Sequence, residues 1–67
     1  MTAAFVNGEA TELADGTTVA DLVAEHRPSP KGVAVARNEE VVPRSAWGDV
    51  VVAEGDRLEI LTAAQGG

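Results

Sequence analysis

Arg57-Leu58-Glu59-Ile60-Leu61 (RLEIL) is the stretch that decides the fold. Apolar and charged residues alternate through it, as in a strand with one buried face, and we expect Leu58 and Ile60 to point into the core. It contains neither glycine nor proline, so both of its edges can hydrogen-bond to neighbouring strands. We therefore expect this strand at the centre of a sheet, entered through a tight turn at Glu54-Gly55-Asp56.

The last six residues, Thr62-Ala63-Ala64-Gln65-Gly66-Gly67, contain no charged, aromatic or large aliphatic side chain. Such a segment buries too little surface to offset the entropy lost on ordering it. We therefore expect a domain at residues 1–61 and a mobile tail at residues 62–67. Its two terminal glycines add the least bulk and the most backbone freedom, and its one reactive group is the carboxylate of Gly67.

Asn7-Gly8 predicts a hairpin at the other end of the chain, because this dipeptide best accepts the positive φ angles of a type I′ turn. A two-residue loop pairs Val6 with Glu9 and turns Leu13 inward. The same alternation places Phe5 on the outer face of the sheet, where it is a candidate contact for a partner. Burial of Phe5 in the core is the alternative.

A helix is predicted next, because apolar residues recur at helical spacing at Val19, Leu22 and Val23. Thr17 or Thr18 can cap its start, and prolines 28 and 30 stop it. His26 is the only histidine. Neither a second metal ligand nor a nucleophile lies within motif range of it, so we interpret it as structural.

Two further strands are predicted at residues 33–36 and 40–42. In the first, valines alternate with alanines, so the valines pack under the helix. Ala34 and Ala36 then form a flat outer face that another protein can approach closely, and with Phe5 they make the predicted partner-docking face. Asn38 is the expected positive-φ residue of the connecting turn.

The segment before the last strand is harder to assign from periodicity. Pro43 ends the short strand, and Ser45 is expected to cap a single helical turn that places Trp47 over one end of the core. Residues 49–53 read either as a strand or as a buried connecting segment.

The predicted order is hairpin, helix, strand, strand, connecting segment, strand. A helix that crosses between the hairpin and the later strands must lie on one face of a mixed sheet and leave the other face open. We therefore predict an α+β, ubiquitin-like β-grasp fold, with four to five strands and one main helix packed on one face.

Composition limits the function. Eleven acidic residues against five basic ones give a net charge of −6, which disfavours nucleic acid and favours partners with a basic docking face. The chain has no cysteine, and no segment approaches the roughly 20 apolar residues of a membrane span. The first residues also lack the basic residues and the long apolar run of a signal sequence, so we expect a cytoplasmic protein with no membrane partner.

Catalytic and metal-binding patterns are absent from the sequence. Glu39 and Glu40 are adjacent in a turn and point apart, and Ser29 and Ser45 have no predicted base. The glycines at positions 8, 16, 32, 48 and 55 occur singly at turns and form no phosphate-binding loop. We expect neither a bound cofactor nor a metal, and no enzymatic activity of the chain by itself.

Gly67 remains as the reactive position. A carboxylate becomes an acyl donor when ATP adenylates it, and a thiolate or persulfide can then attack the acyl-adenylate. A partner enzyme would have to thread Gln65, Gly66 and Gly67 through a channel, which side chains on the two glycines would obstruct.

The chain resembles the sulfur-carrier (ThiS) family of thiamine biosynthesis over essentially its whole length. The matching features, in order, are Val6-Asn7-Gly8-Glu9, Gly16-Thr17-Thr18-Val19 with Leu22, Val33-Ala34-Val35 with Asn38, Val41-Val42-Pro43-Arg44 with Trp47, and Glu54-Gly55-Asp56-Arg57-Leu58-Glu59-Ile60 running to Gln65-Gly66-Gly67. The alanine-rich first strand departs from the larger aliphatic residues common in the family, which bears on stability rather than on chemistry.

The resemblance implies a reaction cycle. An E1-like adenylyltransferase of the ThiF type uses ATP and Mg²⁺ to adenylate Gly67, and sulfur taken from cysteine by a desulfurase converts it to a thiocarboxylate. Thiazole synthase of the ThiG type then receives the sulfur. Three alternatives stay open: the small subunit of molybdopterin synthase, a conjugated ubiquitin-like modifier, and a plain interaction domain with an incidental Gly-Gly ending.

Overall fold

The structure, a computed structural model, describes residues 1–26 and 32–62. Its elements in chain order are β1 (Thr2–Val6), β2 (Glu9–Leu13), α1 (Val19–His26), β3 (Val33–Arg37), β4 (Glu40–Val42), a 3₁₀ helix (Arg44–Ala46) and β5 (Arg57–Thr62). The five strands form one mixed sheet in the order β2-β1-β5-β3-β4. The predicted β-grasp fold and the central position of the last strand are confirmed. β5 is one residue longer than predicted.

The hairpin of β1 and β2 has the predicted register. Val6 pairs with Glu9, and the turn residues Asn7 and Gly8 have φ angles of 52° and 82°. Leu13 is buried, whereas Phe5 is 44% exposed on the opposite face. The outward orientation of Phe5 is therefore confirmed, and its burial in the core is excluded.

Helix α1 begins with a reciprocal capping box. The Asp21 amide donates to Thr18 Oγ1, and the Thr18 amide donates to Asp21 Oδ2, both at 3.1 Å. These bonds satisfy backbone donors that the first turn leaves free, so Thr18 rather than Thr17 is the cap. The apolar side of the helix packs on the sheet, and the predicted helix-stopping prolines at 28 and 30 lie outside the described residues.

Antiparallel β3 and β4 are joined by a turn in which Asn38 and Glu39 have φ angles of 51° and 74°. The predicted positive φ of Asn38 is confirmed. The prediction that Ser45 caps the next helical turn is wrong. The 3₁₀ helix starts at Arg44, with the extended Pro43 as its cap and no side-chain cap hydrogen bond. Proline takes the cap position because its φ is preset, and Ser45 falls inside the helix.

Residues 49–53 form a connecting segment with one isolated bridge, between Thr18 and Val51. The Val52 amide donates to the Thr17 carbonyl at 2.9 Å, and the Val52 side chain is buried. Trp47, also buried, donates its ring N–H to the Val42 carbonyl at 2.9 Å and so covers one end of the core as predicted. No helix within residues 1–26 and 32–62 is long and apolar enough to cross a membrane.

Candidate functional site

The face of the sheet opposite the helix carries the predicted docking residues. Phe5 lies beside Arg57 in the sheet, Ala36 pairs with Glu59, and Ala34 pairs with Leu61. Ala34 is exposed and Ala36 is half-buried. The structure therefore places all three predicted residues on one face, with the outward side chains of β5 between Phe5 and the two alanines.

Two exposed apolar side chains extend this face and were not singled out from the sequence. Leu61 on β5 is 57% exposed beside Ala34, and Val41 on β4 is 76% exposed beside Ala36. The alternation that turns Leu58 and Ile60 inward also turns Leu61 outward, so the signal for it was present. An apolar residue at an outward position of a strand is the feature to look for. We define the open face by its apolar members: Phe5, Ala34, Ala36, Val41 and Leu61.

A concavity of about 400 Å³ opens on this side of the sheet where β1 ends. Its lining is Phe5, Gly8, Arg57, Leu58 and Glu59. The lining combines an aromatic ring with one basic and one acidic side chain. This mixture suits a protein side chain with an apolar body better than it suits a small charged molecule.

Two turn asparagines hold β5, the strand that leads to the tail. The Arg57 amide donates to Asn38 Oδ1 at 2.9 Å, and the Ile60 amide donates to Asn7 Oδ1 at 2.8 Å. Asn38 belongs to the turn after β3 and Asn7 to the turn after β1, so β5 is held from both sides. The sequence pattern predicted the backbone conformation of these asparagines and missed their side-chain bonds, because the acceptors and donors are far apart in the chain.

The start of β5 is fixed by a buried carboxylate that sequence reasoning treated only as a turn residue. Asp56 is 5% exposed and accepts hydrogen bonds from Arg37 Nε at 2.7 Å, the Ala53 amide at 2.8 Å and Asn38 Nδ2 at 3.0 Å. Burial by itself raises the pKa of Asp56. The hydrogen bonds from Arg37, Ala53 and Asn38, with the charge of Arg37, outweigh burial and hold that pKa below its usual value.

The predicted reactive end lies beyond the described part of the chain. Gln65, Gly66 and Gly67 fall within residues 63–67, outside the described residues, and the last described residue is Thr62 at the end of β5. His26 Nδ1 lies 3.1 Å from the Leu22 carbonyl oxygen of its own helix. Across residues 1–26 and 32–62, no group of three or more His, Cys, Asp or Glu side chains is arranged to hold a metal ion.

A five-stranded mixed sheet with its last strand at the centre, one covering helix and an open apolar face defines a β-grasp domain of the ubiquitin-like class. The ThiS family model matches residues 4–67, and the chain belongs to that family.

Relatives of known name are similar over most of this chain. The sulfur carrier protein ThiS of Escherichia coli is 33% identical over 61 residues, which cover 91% of this chain and 92% of that one. A thiazole synthase of Paramagnetospirillum magneticum is 40% identical over 62 residues, which cover 92% of this chain but only 19% of that protein. The chain thus spans about a fifth of the length of the thiazole synthases it matches.

The fold is also similar to a solved structure. The crystal structure of the thiamine biosynthesis protein ThiS from Geobacter metallireducens superposes with a TM-score of 0.81 at 30% identity, covering 98% of this chain and all of that one. The similarity therefore extends over the whole fold.

Proposed function

We propose that this chain is a sulfur carrier that supplies the sulfur atom of the thiazole ring of thiamine. An E1-like adenylyltransferase uses ATP and Mg²⁺ to join the carboxylate of Gly67 to AMP, with release of pyrophosphate. The persulfide that a desulfurase forms from cysteine attacks the acyl-adenylate and displaces AMP, which gives an acyl disulfide. A thiol then breaks the S–S bond of that acyl disulfide and leaves the thiocarboxylate and a disulfide, and thiazole synthase consumes the thiocarboxylate. The chain acts in the cytoplasm as a protein co-substrate of these enzymes and holds no cofactor of its own.

The observation that carries the proposal is the match to the ThiS family model, which continues through Gly67. Similarity to proteins named as a sulfur carrier and as thiazole synthases supports the pathway. The fold is suited to the task because β5, held on both sides, ends five residues before Gly67. Five residues can span at most about 17 Å, which is enough to carry a terminal group away from the domain.

The open face is the proposed docking surface for the processing enzymes. It is exposed and apolar across Phe5, Ala34, Val41 and Leu61, and Arg57 and Glu59 lie within it. The chain carries a net charge of −6, so the partner should surround an apolar patch with basic residues.

Replacing Phe5 by alanine is expected to weaken binding to the adenylyltransferase about tenfold or more, because an aromatic anchor is lost from the docking surface. The free energy of unfolding should fall by about 1 kcal/mol or less, since Phe5 is already 44% exposed. Titration calorimetry and urea unfolding measure the two effects. Val51→Ala is the matched control, because Val51 is 51% exposed but lies in the connecting segment away from the open face. If the two variants bind the adenylyltransferase with equal affinity, Phe5 does not belong to the docking surface.

Intact-mass analysis tests the proposed function directly. The chain is incubated with ATP, Mg²⁺, the adenylyltransferase of its own organism, a cysteine desulfurase and cysteine. The expected product is heavier by the difference between sulfur and oxygen, and fragmentation locates the change at Gly67. Transfer of that sulfur by thiazole synthase, and not by the large subunit of molybdopterin synthase, assigns the pathway. Absence of the heavier species, under conditions that convert the Escherichia coli carrier, would refute the proposal.

A further inference from the structure

The direction of each backbone group in β5 follows from its register with β3. The Asn38 amide donates to the Arg57 carbonyl at 2.8 Å, and the same register continues through Ala36 with Glu59 and Ala34 with Leu61. In an antiparallel ladder, hydrogen-bonded pairs alternate with pairs whose backbone groups point away. The odd-numbered residues of β5 therefore bond to β3. The even-numbered residues, from Leu58 to Thr62, direct their N–H and C=O groups to the side of β1.

β1 forms hydrogen bonds with only the beginning of β5 on that side. The Phe5 amide donates to the Asp56 carbonyl and the Asn7 amide to the Leu58 carbonyl, at 2.9 and 2.8 Å. The chain then turns away, and Asn7 Oδ1 accepts from the Ile60 amide as a strand carbonyl would. In the described part of the chain, β1 pairs with Arg57 and Leu58 alone. The Ile60 carbonyl and the Thr62 amide therefore point to a side of β5 on which no described strand lies.

The concavity described above lies beside the end of β1, and Glu59, the residue before Ile60, is the last residue of β5 in its lining. A Cβ added to Gly8 would meet no heavy atom within 4 Å, so the space above the turn is open. A smaller hollow next to it is lined by Glu39, Arg57 and Glu59, which gives two acidic side chains against one basic one. Glu59, the residue before Ile60, lines both hollows, so the free side of β5 begins one residue beyond a partly aromatic recess with an acidic side chain at its edge.

We propose that the free side of β5 at Ile60 and Thr62 binds an extended segment of the adenylating enzyme, which lies in line with β1 and adds a strand to the sheet. One residue of a segment parallel to β5 meets both groups: its amide donates to the Ile60 carbonyl and its carbonyl accepts from the Thr62 amide. The segment carries an apolar side chain toward Phe5 and a basic side chain toward Glu59. This inference rests on the proposed function, and it explains how the enzyme can aim a tail that begins next to Thr62.

Hydrogen exchange of single backbone amides tests the strand directly. In the free chain, the Leu61 amide should exchange slowly because it bonds to β3, and the Thr62 amide should exchange quickly. Adding the adenylyltransferase with ATP and Mg²⁺ should slow exchange at Thr62 at least tenfold. If the exchange rate of the Thr62 amide does not change in a complex that still adenylates the chain, the docking strand is overturned and the proposed function is not. If the Thr62 amide exchanges slowly without the enzyme, and more slowly as the concentration of the chain is raised, the strand that covers it belongs to a second copy of this chain. That result would also overturn the proposed docking strand.

Thr62→Pro supplies the second test. Proline removes the Thr62 amide, which the register leaves outside the β3 ladder, so the melting temperature should stay close to that of Thr62→Val. Relative to Thr62→Val, which keeps the amide, the kcat/KM of adenylation should fall about tenfold, as expected for one lost hydrogen bond and a displaced segment. Equal kcat/KM values would overturn the proposal. Failure of the wild-type chain to become adenylated would instead refute the proposed function, and this inference with it.

Discussion

Deletion of Gly67 is expected to abolish formation of the thiocarboxylate while leaving the melting temperature unchanged. The shortened chain ends in the carboxylate of Gly66, about 3.5 Å short of the original position. Nucleophilic attack on ATP needs the reacting atoms within about 3–3.5 Å of each other, so a shift of this size removes productive geometry. Within residues 1–26 and 32–62 the buried core lies between Ala4 and Ile60, and a terminal glycine has no side chain to add to it, so we expect no loss of thermal stability.

Mass analysis after incubation with the adenylyltransferase, ATP and a sulfur donor measures the first effect, and a thermal melt followed by circular dichroism measures the second. Gly66→Ala provides an intermediate case, because it keeps the terminal carboxylate but adds bulk that the enzyme's channel must accommodate. Its conversion should be slower than that of the wild-type chain and not abolished. A large loss of thermal stability on deleting Gly67 would contradict a tail separate from the folded domain, and normal conversion would contradict the role given to its carboxylate.

Replacement of Asp56 by alanine is expected to lower the free energy of unfolding by about 2–3 kcal/mol. The substitution leaves three donors without their acceptor: Arg37 Nε, Asn38 Nδ2 and the Ala53 amide. The Arg37 side chain is 36% exposed, so water can rehydrate part of its guanidinium, and the loss is smaller than for a fully buried ion pair. A domain of 67 residues has a total stability of about 3–10 kcal/mol, so the variant approaches the unfolding threshold.

The pH dependence of this loss identifies its electrostatic part. The pKa of Asp56 is lowered in the folded state, so its ionised form contributes stability that is complete above the unfolded-state pKa of about 3.9. That contribution disappears as the pH falls through the lower folded-state pKa. The difference in unfolding free energy between the wild-type chain and Asp56→Ala should therefore be constant above about pH 5 and narrow below about pH 4. Urea unfolding over this range measures it, with Asp49→Ala as an exposed acidic control. A difference that does not change with pH would show that the charge of Asp56 contributes nothing.

The sequence predicted the parts of the candidate site that depend on the alternation of inward and outward side chains along a single strand. Phe5 and Ala34 were placed on the outer face because neighbouring residues in their strands must be buried, and the structure places them there. The outward orientation of Leu61 follows from the same rule, because Leu61 comes directly after the inward-facing Ile60. The docking role of this face stays a prediction.

The sequence by itself determined the main helix and the five strands, the hairpin register and the central place of β5, but not the connecting segment at residues 49–53. Those properties depend on residues that are adjacent or a few positions apart: Asn7-Gly8 for the turn, the spacing of Val19, Leu22 and Val23 for the helix, and strict alternation from Arg57 to Leu61 for the last strand. Such short-range preferences act before the chain has folded, so they can be read without coordinates.

Only the tertiary structure decided how the strands are tied together and where β5 is left open. The bond from Ile60 to Asn7 joins residues that are 53 positions apart, and the Asp56 cluster joins two turns 18 or 19 positions apart. The unpaired side of β5 exists because β1 turns away at Asn7 while β5 continues to Thr62. Pairings over such distances depend on the relative positions of whole strands. A sequence pattern indicates which groups are available, and only the folded sheet determines which of them meet.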